Sequence, residues 1–472
     1  MNGSISRLFA VVLLLFGLLI VWTSRWTVID AAGLQHDRLN KLSLYASWQV
    51  KEGQILADNG DVLARSVPAG GGTWRRTYPM GSLFGDAVGF ENIELGQNAG
   101  LEQFRLPALT ATQQTTLGAV FGPISSSSVG NDVYTSLDPT AQALARTLLD
   151  GRVGNVVAIV PQTGAIPVMY SNPNYNSNDP FGCHGAGCEV PSAVAGEYPP
   201  GSTFKVVTTT AALNSGMYNP QSTIVGNSPL EVSGIPLHND GNQSWGPVSL
   251  TTALVNSINT VYAQVGQNLG RATMAKYMAR FGFYSEPPLD YPDEEMIASG
   301  ERSSAGAPLQ PVSSTYVDLG RMSIGQGNLL VTPLQMAMVV SAVADDGTLM
   351  RPHLTSKVVN PDGQVVEAIT PTVYAHVMSP AVAHELQSMM TQVVEEGTGQ
   401  AANLDGLDAA GKTGTATTVG DIDDAWFIGF APATAPRIAV AVELTHIANG
   451  YGGVYAAPIA AQLMKLLLSE DL

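Results

Sequence analysis

Two residues that can act together as nucleophile and base stand three positions apart in PPGSTFKVVTTTAALNSG (199–216): Ser202 and Lys205. A serine hydroxyl is a weak nucleophile until a neighbouring base takes its proton. At the start of a helix, residues i and i+3 project from one face, so the spacing predicts that Lys205 brings its amine within hydrogen-bond reach of the Ser202 hydroxyl. A lysine works as a base only when neutral, which requires a desolvated or cation-rich site. The helix N-terminus supplies free N–H groups and a positive dipole end, and both favour an oxyanion forming at Ser202. An ordinary helix start, with Ser202 as N-cap and Lys205 in solvent, has the same spacing, so the pair by itself does not decide.

Two further stretches narrow the choice. ALVNSINTVYAQVG (253–266) carries Ser257 and Asn259, two apart at a helix edge, where one can relay a proton and the other can bind an amide. AAGKTGTATT (409–418) reads as a strand and holds Lys412, Thr413, Gly414 and Thr415. Lys412 and Thr413 offer a cation and a hydroxyl to a carboxylate, and Gly414 would let a substrate backbone lie close. Taken singly, these are a polar patch on an amphipathic helix and an edge-strand lysine that discourages aggregation. Together and in this order, S-x-x-K, S-x-N and K-T-G form the signature of penicillin-recognising serine enzymes.

The elements that must position these residues can be read from patterning. Pro139–Leu149 reads as a helix with Asp138 as N-cap and Pro139 at its first position. Asn155–Val160 and Ala165–Ser171 read as short strands around a turn, and 199–400 reads as mostly helix with loops. Strands return at Ala410–Thr417, Ala425–Ala431 and Ile438–Glu443, and Ala457–Leu468 closes as a helix. Strands at both ends with helices between them predict a mixed α/β domain whose first and last strands share one sheet. Ahead of it, GQILADNGDVLARSV (53–67) reads as a hairpin about Asn59-Gly60, PAGGGTW (68–74) as a loop, and GPISSSSVGN (122–131) as a linker.

The chain resembles the class B penicillin-binding proteins, the monofunctional peptidoglycan transpeptidases, and within them the actinobacterial penicillin-binding protein A type. Besides the three motifs, the resemblance rests on SLDPTAQALA (136–145), EYPPGSTFK (197–205), MSIGQGNLLVTPLQMA (322–337) and DAWFIGFAP (424–432). It implies a five-stranded antiparallel sheet flanked by helices, preceded by an elongated N-terminal domain. It also implies roles: Ser202 as the acylated nucleophile, Lys205 as its base, Ser257 as proton relay and Asn259 as the donor-peptide amide binder. Lys412 and Thr413 would hold the carboxylate, Gly414 would leave room for substrate, and the N–H groups of Ser202 and Thr415 would form the oxyanion hole. The implied substrate is a D-Ala-D-Ala stem peptide, and β-lactams would acylate the same serine. A β-lactamase, a D,D-carboxypeptidase or a catalytically silent penicillin-binding scaffold would share the motifs. GQILADNGDVLA (53–64) also resembles a family segment, but where an Arg-Gly is usual this chain has Glu52-Gly53, which leaves that arginine's ion pair without its cation.

Residues 8–24 (LFAVVLLLFGLLIVWTS) carry no charge and follow Arg7, the pattern of a membrane anchor with its N-terminus in the cytoplasm. A cleaved signal peptide is the competing reading, and a buried soluble helix a third. The expected organisation is a cytoplasmic tail (1–7), an anchor (8–24), a non-catalytic domain (25–130) and an extracytoplasmic transpeptidase domain (131–472). Residues 25–130 are too few for a glycosyltransferase domain, so a separate membrane glycosyltransferase would supply glycan strands. A net charge of −17 on 472 residues argues against nucleic acid as a partner. No cofactor or metal is expected. AHELQS (383–388) lacks the second histidine of a zinc motif, and Cys183 and Cys188 read as a disulfide, as two free thiols or as part of a metal site.

Overall fold

The computed structural model describes residues 2–25, 48–111, 129–183, 187–188, 190–304, 306–403, 406, 408–419 and 422–470. Much of the Ser-rich linker therefore lies outside the described residues. At the centre is a five-stranded sheet in the order Ala410–Val419, Ile422–Ala431, Ile438–Ala448, Gly154–Ile159, Val168–Asn172. Every pairing in it is antiparallel. The strand read at 155–160 and the last strand, read at 438–443, do share a sheet and pair directly, and the motif strand Ala410–Val419 lies at its edge.

Helices cover both faces. Gly452–Ser469 and Pro139–Leu149 pack on one. The Asp138 side chain caps the latter by accepting from Thr140 N and Ala141 N. Pro333–Ala344 packs on the other face, and all of its residues are buried. A helix buried on every side can only sit inside a core, and this one lies under the sheet, with the helix Lys205–Asn214 that follows Ser202 beyond it. The span 199–400 holds these helices and also several short hairpins, among them Leu230–Val232 with Ile235–Leu237. Strands of three residues are too short to leave a period in the sequence.

The N-terminal region forms the predicted hairpin. Ile55–Leu56 pairs with the strand Val62–Gly70 about Asn59-Gly60. That strand runs on through the segment read as a loop and pairs with Thr73–Thr77. The sheet then crosses the expected boundary at 130/131. Its order is Val365–Ala368, Thr355–Val359, Asp132–Thr135, Ile55–Leu56, Val62–Gly70, Thr73–Thr77. Three of its strands thus come from the region assigned to the catalytic domain.

Glu52 has found a cation elsewhere. Arg76 stands 3.5 Å from Glu52 Oε2, bonds Glu102 through Nε and, at 3.2 Å, through a terminal nitrogen, and donates to Gly53 O at 2.6 Å. All three side chains are buried. In this chain the acid of the ion pair stands at residue 52 and the cation at residue 76. Glu91 joins as a third acid, and burial beside Glu52 and Glu102 pushes its carboxyl up to about 9, so it is neutral at pH 7. Arg76→Met is expected to cost about 3–5 kcal/mol, because it strands the two remaining carboxylates in the interior. The deficit, measured by thermal unfolding, should shrink as pH falls and Glu102, whose carboxyl burial raises to about 7, takes up its proton. An equal deficit at pH 5 and pH 8 would argue against a charge origin.

Cys183 and Cys188 form a disulfide, with Cα atoms 6.3 Å apart. The helix Asn2–Ser24 stands apart, and its apolar run Ile5–Ser24 has a mean hydropathy of 2.5 with no residue buried. Twenty-three helical residues span ~34 Å, enough to cross a ~30 Å hydrocarbon core.

Candidate active site

Ser202 lies in a tight 3-10 turn, Gly201–Phe204, that leads directly into the helix Lys205–Asn214. The turn is pinned from several sides. Gly201 N donates to Gly325 O at 2.9 Å, Thr203 Oγ1 donates to Pro200 O at 2.7 Å, and Trp426 Nε1 donates to Pro199 O at 3.0 Å. Gly201 has φ +53°, and a Cβ there would lie 2.6 Å from Thr415 O and 3.1 Å from Thr415 N. Glycine is thus required twice over, for the left-handed backbone and for the approach to the edge strand. Ser202 itself is partly exposed, whereas Lys205 and Lys412 are fully buried.

Lys205 Nζ donates to Ser257 O at 2.7 Å, to Asn259 Oδ1 at 2.7 Å and to Ser257 Oγ at 3.2 Å. It also lies 5.6 Å from the centre of the Tyr262 ring, whose hydroxyl meets Thr209 Oγ1 at 2.8 Å. Lys412 Nζ reaches Ser257 Oγ from the other side at 3.0 Å and Thr413 O at 2.9 Å. One serine hydroxyl therefore stands between two buried amines. Ser257 has φ +56°, an unfavourable conformation for a serine. That backbone lets its carbonyl and its hydroxyl face Lys205 together, between the helices Leu250–Val255 and Asn259–Arg280. Asn259 Nδ2 donates to His238 O at 3.0 Å, and Thr398 Oγ1 meets Thr413 Oγ1 at 2.6 Å.

Burial and the nearby charge of Lys412 hold the Lys205 amine well below the usual lysine range. Burial lowers Lys412 to about 7. Two ammonium ions in one dry pocket repel, so the first proton leaves readily. This is the cation-rich, desolvated setting that a lysine base needs.

The structure brings Lys205, Ser257, Asn259, Lys412 and Thr413 into one network. Two details differ from expectation. Among the described residues, no hydrogen bond joins Lys205 Nζ to the Ser202 hydroxyl. An ammonium has three donors and no lone pair, and three acceptors from Ser257 and Asn259 occupy them. Only loss of a proton frees Nζ to accept, and hydrogen bonds of this kind often tighten only with substrate bound. The second detail is Gly414. A Cβ there would meet Pro200 O at 2.8 Å, Thr203 Cγ2 at 2.9 Å and Trp426 Cβ at 2.9 Å. The missing side chain makes room for the turn Gly201–Phe204, so the lack of a Cβ at Gly414 lets that turn seat on the strand. Tyr262, Thr398 and Trp426 carried no local signal, since each acts through a contact made only on folding.

The Penicillin binding protein transpeptidase domain matches residues 154–465, and the Penicillin binding protein A dimerisation domain matches residues 52–125. The chain is 32% identical, over an alignment 511 positions long, to the Peptidoglycan D,D-transpeptidase PbpA of Mycolicibacterium smegmatis, covering all of both proteins. It is 31% identical over 504 residues, again over both full lengths, to the protein of that name from Mycobacterium tuberculosis. Among solved structures it is similar to the ceftriaxone acyl-enzyme complex of penicillin-binding protein A from M. tuberculosis. That match has TM-score 0.78 and 29% identity, and covers 89% of this chain and 99% of the other. The D,D-transpeptidase domain of a peptidoglycan glycosyltransferase from Eggerthella lenta matches with TM-score 0.77 and 30% identity, over 89% of this chain and 99% of that one.

Proposed function

The chain belongs to the penicillin-binding protein transpeptidase family, in its PbpA type, and from that premise we propose how its own residues divide the work. It is a serine D,D-transpeptidase that cross-links peptidoglycan stem peptides and is inhibited by β-lactams through an acyl-enzyme. The observation that carries the division of labour is the buried pair Lys205 and Lys412, both bonded to Ser257 Oγ.

Neutral Lys205 takes the proton of the Ser202 hydroxyl as Oγ attacks the carbonyl between the two terminal D-alanines of the donor stem. The oxyanion lies against the N–H groups of Ser202 and Thr415. As the tetrahedral centre collapses, the C–N bond breaks. The proton passes from Lys205 by way of Ser257 to the departing amine, and D-alanine leaves. The acyl group stays on Ser202 until an amine of a neighbouring stem attacks the ester. That attack forms a new amide and returns the proton to Ser202. Asn259 orients the donor amide, while Lys412 and Thr413 hold its carboxylate. A β-lactam enters by the same attack, but its ring opens without releasing a group that could diffuse away.

The N-terminal helix anchors the chain in the membrane. With Arg7 on the cytoplasmic side, the catalytic region lies outside the cytoplasm, where its substrate is. A separate membrane glycosyltransferase supplies the glycan strands.

Incubation with fluorescent penicillin tests the assignment. The adduct should map to Ser202 by mass spectrometry and persist for many minutes. In the presence of a donor stem and an amine acceptor, the same protein should release D-alanine and form the cross-linked dimer. An adduct on another residue would defeat it, and turnover within seconds would make the protein a β-lactamase.

A further inference from the structure

A pocket of about 430 Å³ opens between the N-terminal region and residues 177–180 of the catalytic region, well within the ~300–1,000 Å³ range of small-molecule sites. Trp48, Trp74 and Tyr78 contribute to its wall, together with Arg75, Glu94 and Glu91. Trp48 and Trp74 are only half-buried, and Trp74 N donates to Trp48 O at 2.8 Å, which fixes the two residues side by side. The far wall is held rigidly. Asn178 accepts from Tyr78 N at 2.9 Å and donates to Tyr78 O at 2.8 Å.

The charges on this wall balance. Arg76 is consumed by Glu52 and Glu102, and Glu91 keeps its proton at neutral pH. Among the residues that line the pocket, that leaves one exposed cation, Arg75, against one exposed anion, Glu94; Lys51, which does not line it, holds its ammonium 5.4 Å from the centre of the Trp74 ring. The lining itself therefore carries no net charge. It offers flat apolar faces with a donor and an acceptor at the rim, the complement of a neutral ring that has an apolar C–H face and an equatorial fringe of hydroxyl and amide groups.

We propose that this pocket is a saccharide subsite, which holds a sugar unit of the glycan strand that carries the stem peptides. The proposal rests on the transpeptidase reading, because that reaction supplies glycan-linked substrate. Holding the strand on the N-terminal region would raise the local concentration of stem peptides at the cleft and give that region a part in substrate capture.

The full chain in detergent micelles tests it with chitotetraose, an oligomer of N-acetylglucosamine, followed by tryptophan fluorescence and saturation-transfer NMR. Chitotetraose should bind, and binding should persist after Ser202 has been acylated with penicillin. Trp74→Ala should weaken it by about tenfold or more, the loss of one stacking face. Arg75→Ala changes an exposed side chain, leaves the packing alone and should weaken it too. Both variants should still acylate with penicillin at the wild-type rate. Absence of binding at millimolar sugar overturns the proposal, as does binding that ignores both substitutions or vanishes on acylation. Binding of an alkylammonium such as N-acetyl-lysine methylamide in competition with the sugar would make the pocket a cation cage and overturn it as well. In every one of these outcomes, penicillin acylation of Ser202 reports separately on the transpeptidase reading.

Discussion

Ser202→Ala should form no covalent adduct with penicillin at any concentration and release no D-alanine from a donor stem. The reason is specific to this site. The two lysines and Ser257 would remain in place, but the lysines are buried, and Ser257, partly exposed like Ser202, is held by hydrogen bonds to both of them. Neither the lysines nor Ser257 is placed to take up the acyl carbon in its stead. Among the described residues the Ser202 hydroxyl makes no hydrogen bond, so removing it should leave stability within about 0.5 kcal/mol of the parent. Thermal unfolding should therefore be unchanged while acylation is lost. Intact-mass spectrometry after incubation with β-lactam decides the matter: an adduct on the alanine variant at the wild-type rate would remove Ser202 from the mechanism.

Lys205→Ala should slow acylation by about 10²–10⁴-fold, the usual contribution of a positioned base. Its pH profile is the sharper test. Lys205 must lose its proton to act, and its proton affinity is depressed by burial and by Lys412. In the parent enzyme acylation should therefore rise with pH and level off well below the ordinary lysine value of 10.5. Lys412 titrates at about 7, and above that pH it loses the charge that draws in a carboxylate. For carboxylate-bearing substrates kcat/KM should then fall on the alkaline side. The variant should lose the rising limb and keep the falling one. A rising limb that survives in Lys205→Ala would assign the base elsewhere.

The same two lysines link stability to pH. In the unfolded chain Lys412 holds its proton up to about 10.5, whereas in the folded protein it gives it up at about 7. Between those values the unfolded state binds more protons, so the burial of this lysine becomes less costly as pH rises through that window. This part of the site works against the fold at neutral pH, and the surrounding core must offset it.

Much of this protein was legible because the relevant interactions are local. The Asn59-Gly60 hairpin, the helix capped by Asp138 and the apolar run at the N-terminus each depend on residues only a few positions apart. So does the presence of Ser202, Ser257 and Lys412 in three short motifs. Residue type and spacing carry that information before any folding takes place.

Tertiary structure decided what those residues touch. The bonds of Lys205 to Ser257 and Asn259 join residues 52 and 54 positions apart, and that of Lys412 to Ser257 spans 155. No periodicity encodes such distances. Spacing alone directed Lys205 towards Ser202, but three nearby acceptors claimed its donors. Sequence left Glu52 without a cation, and only the return of the strand Thr73–Thr77 to its side supplied Arg76. The Ser-rich linker suggested a boundary, yet a sheet crosses it, because exposed strand edges pair with whatever edge lies alongside. Gly414 is identical in sequence whether its open side faces substrate or the chain itself. Only the fold puts the carbonyl of Pro200 2.8 Å from where a side chain would begin.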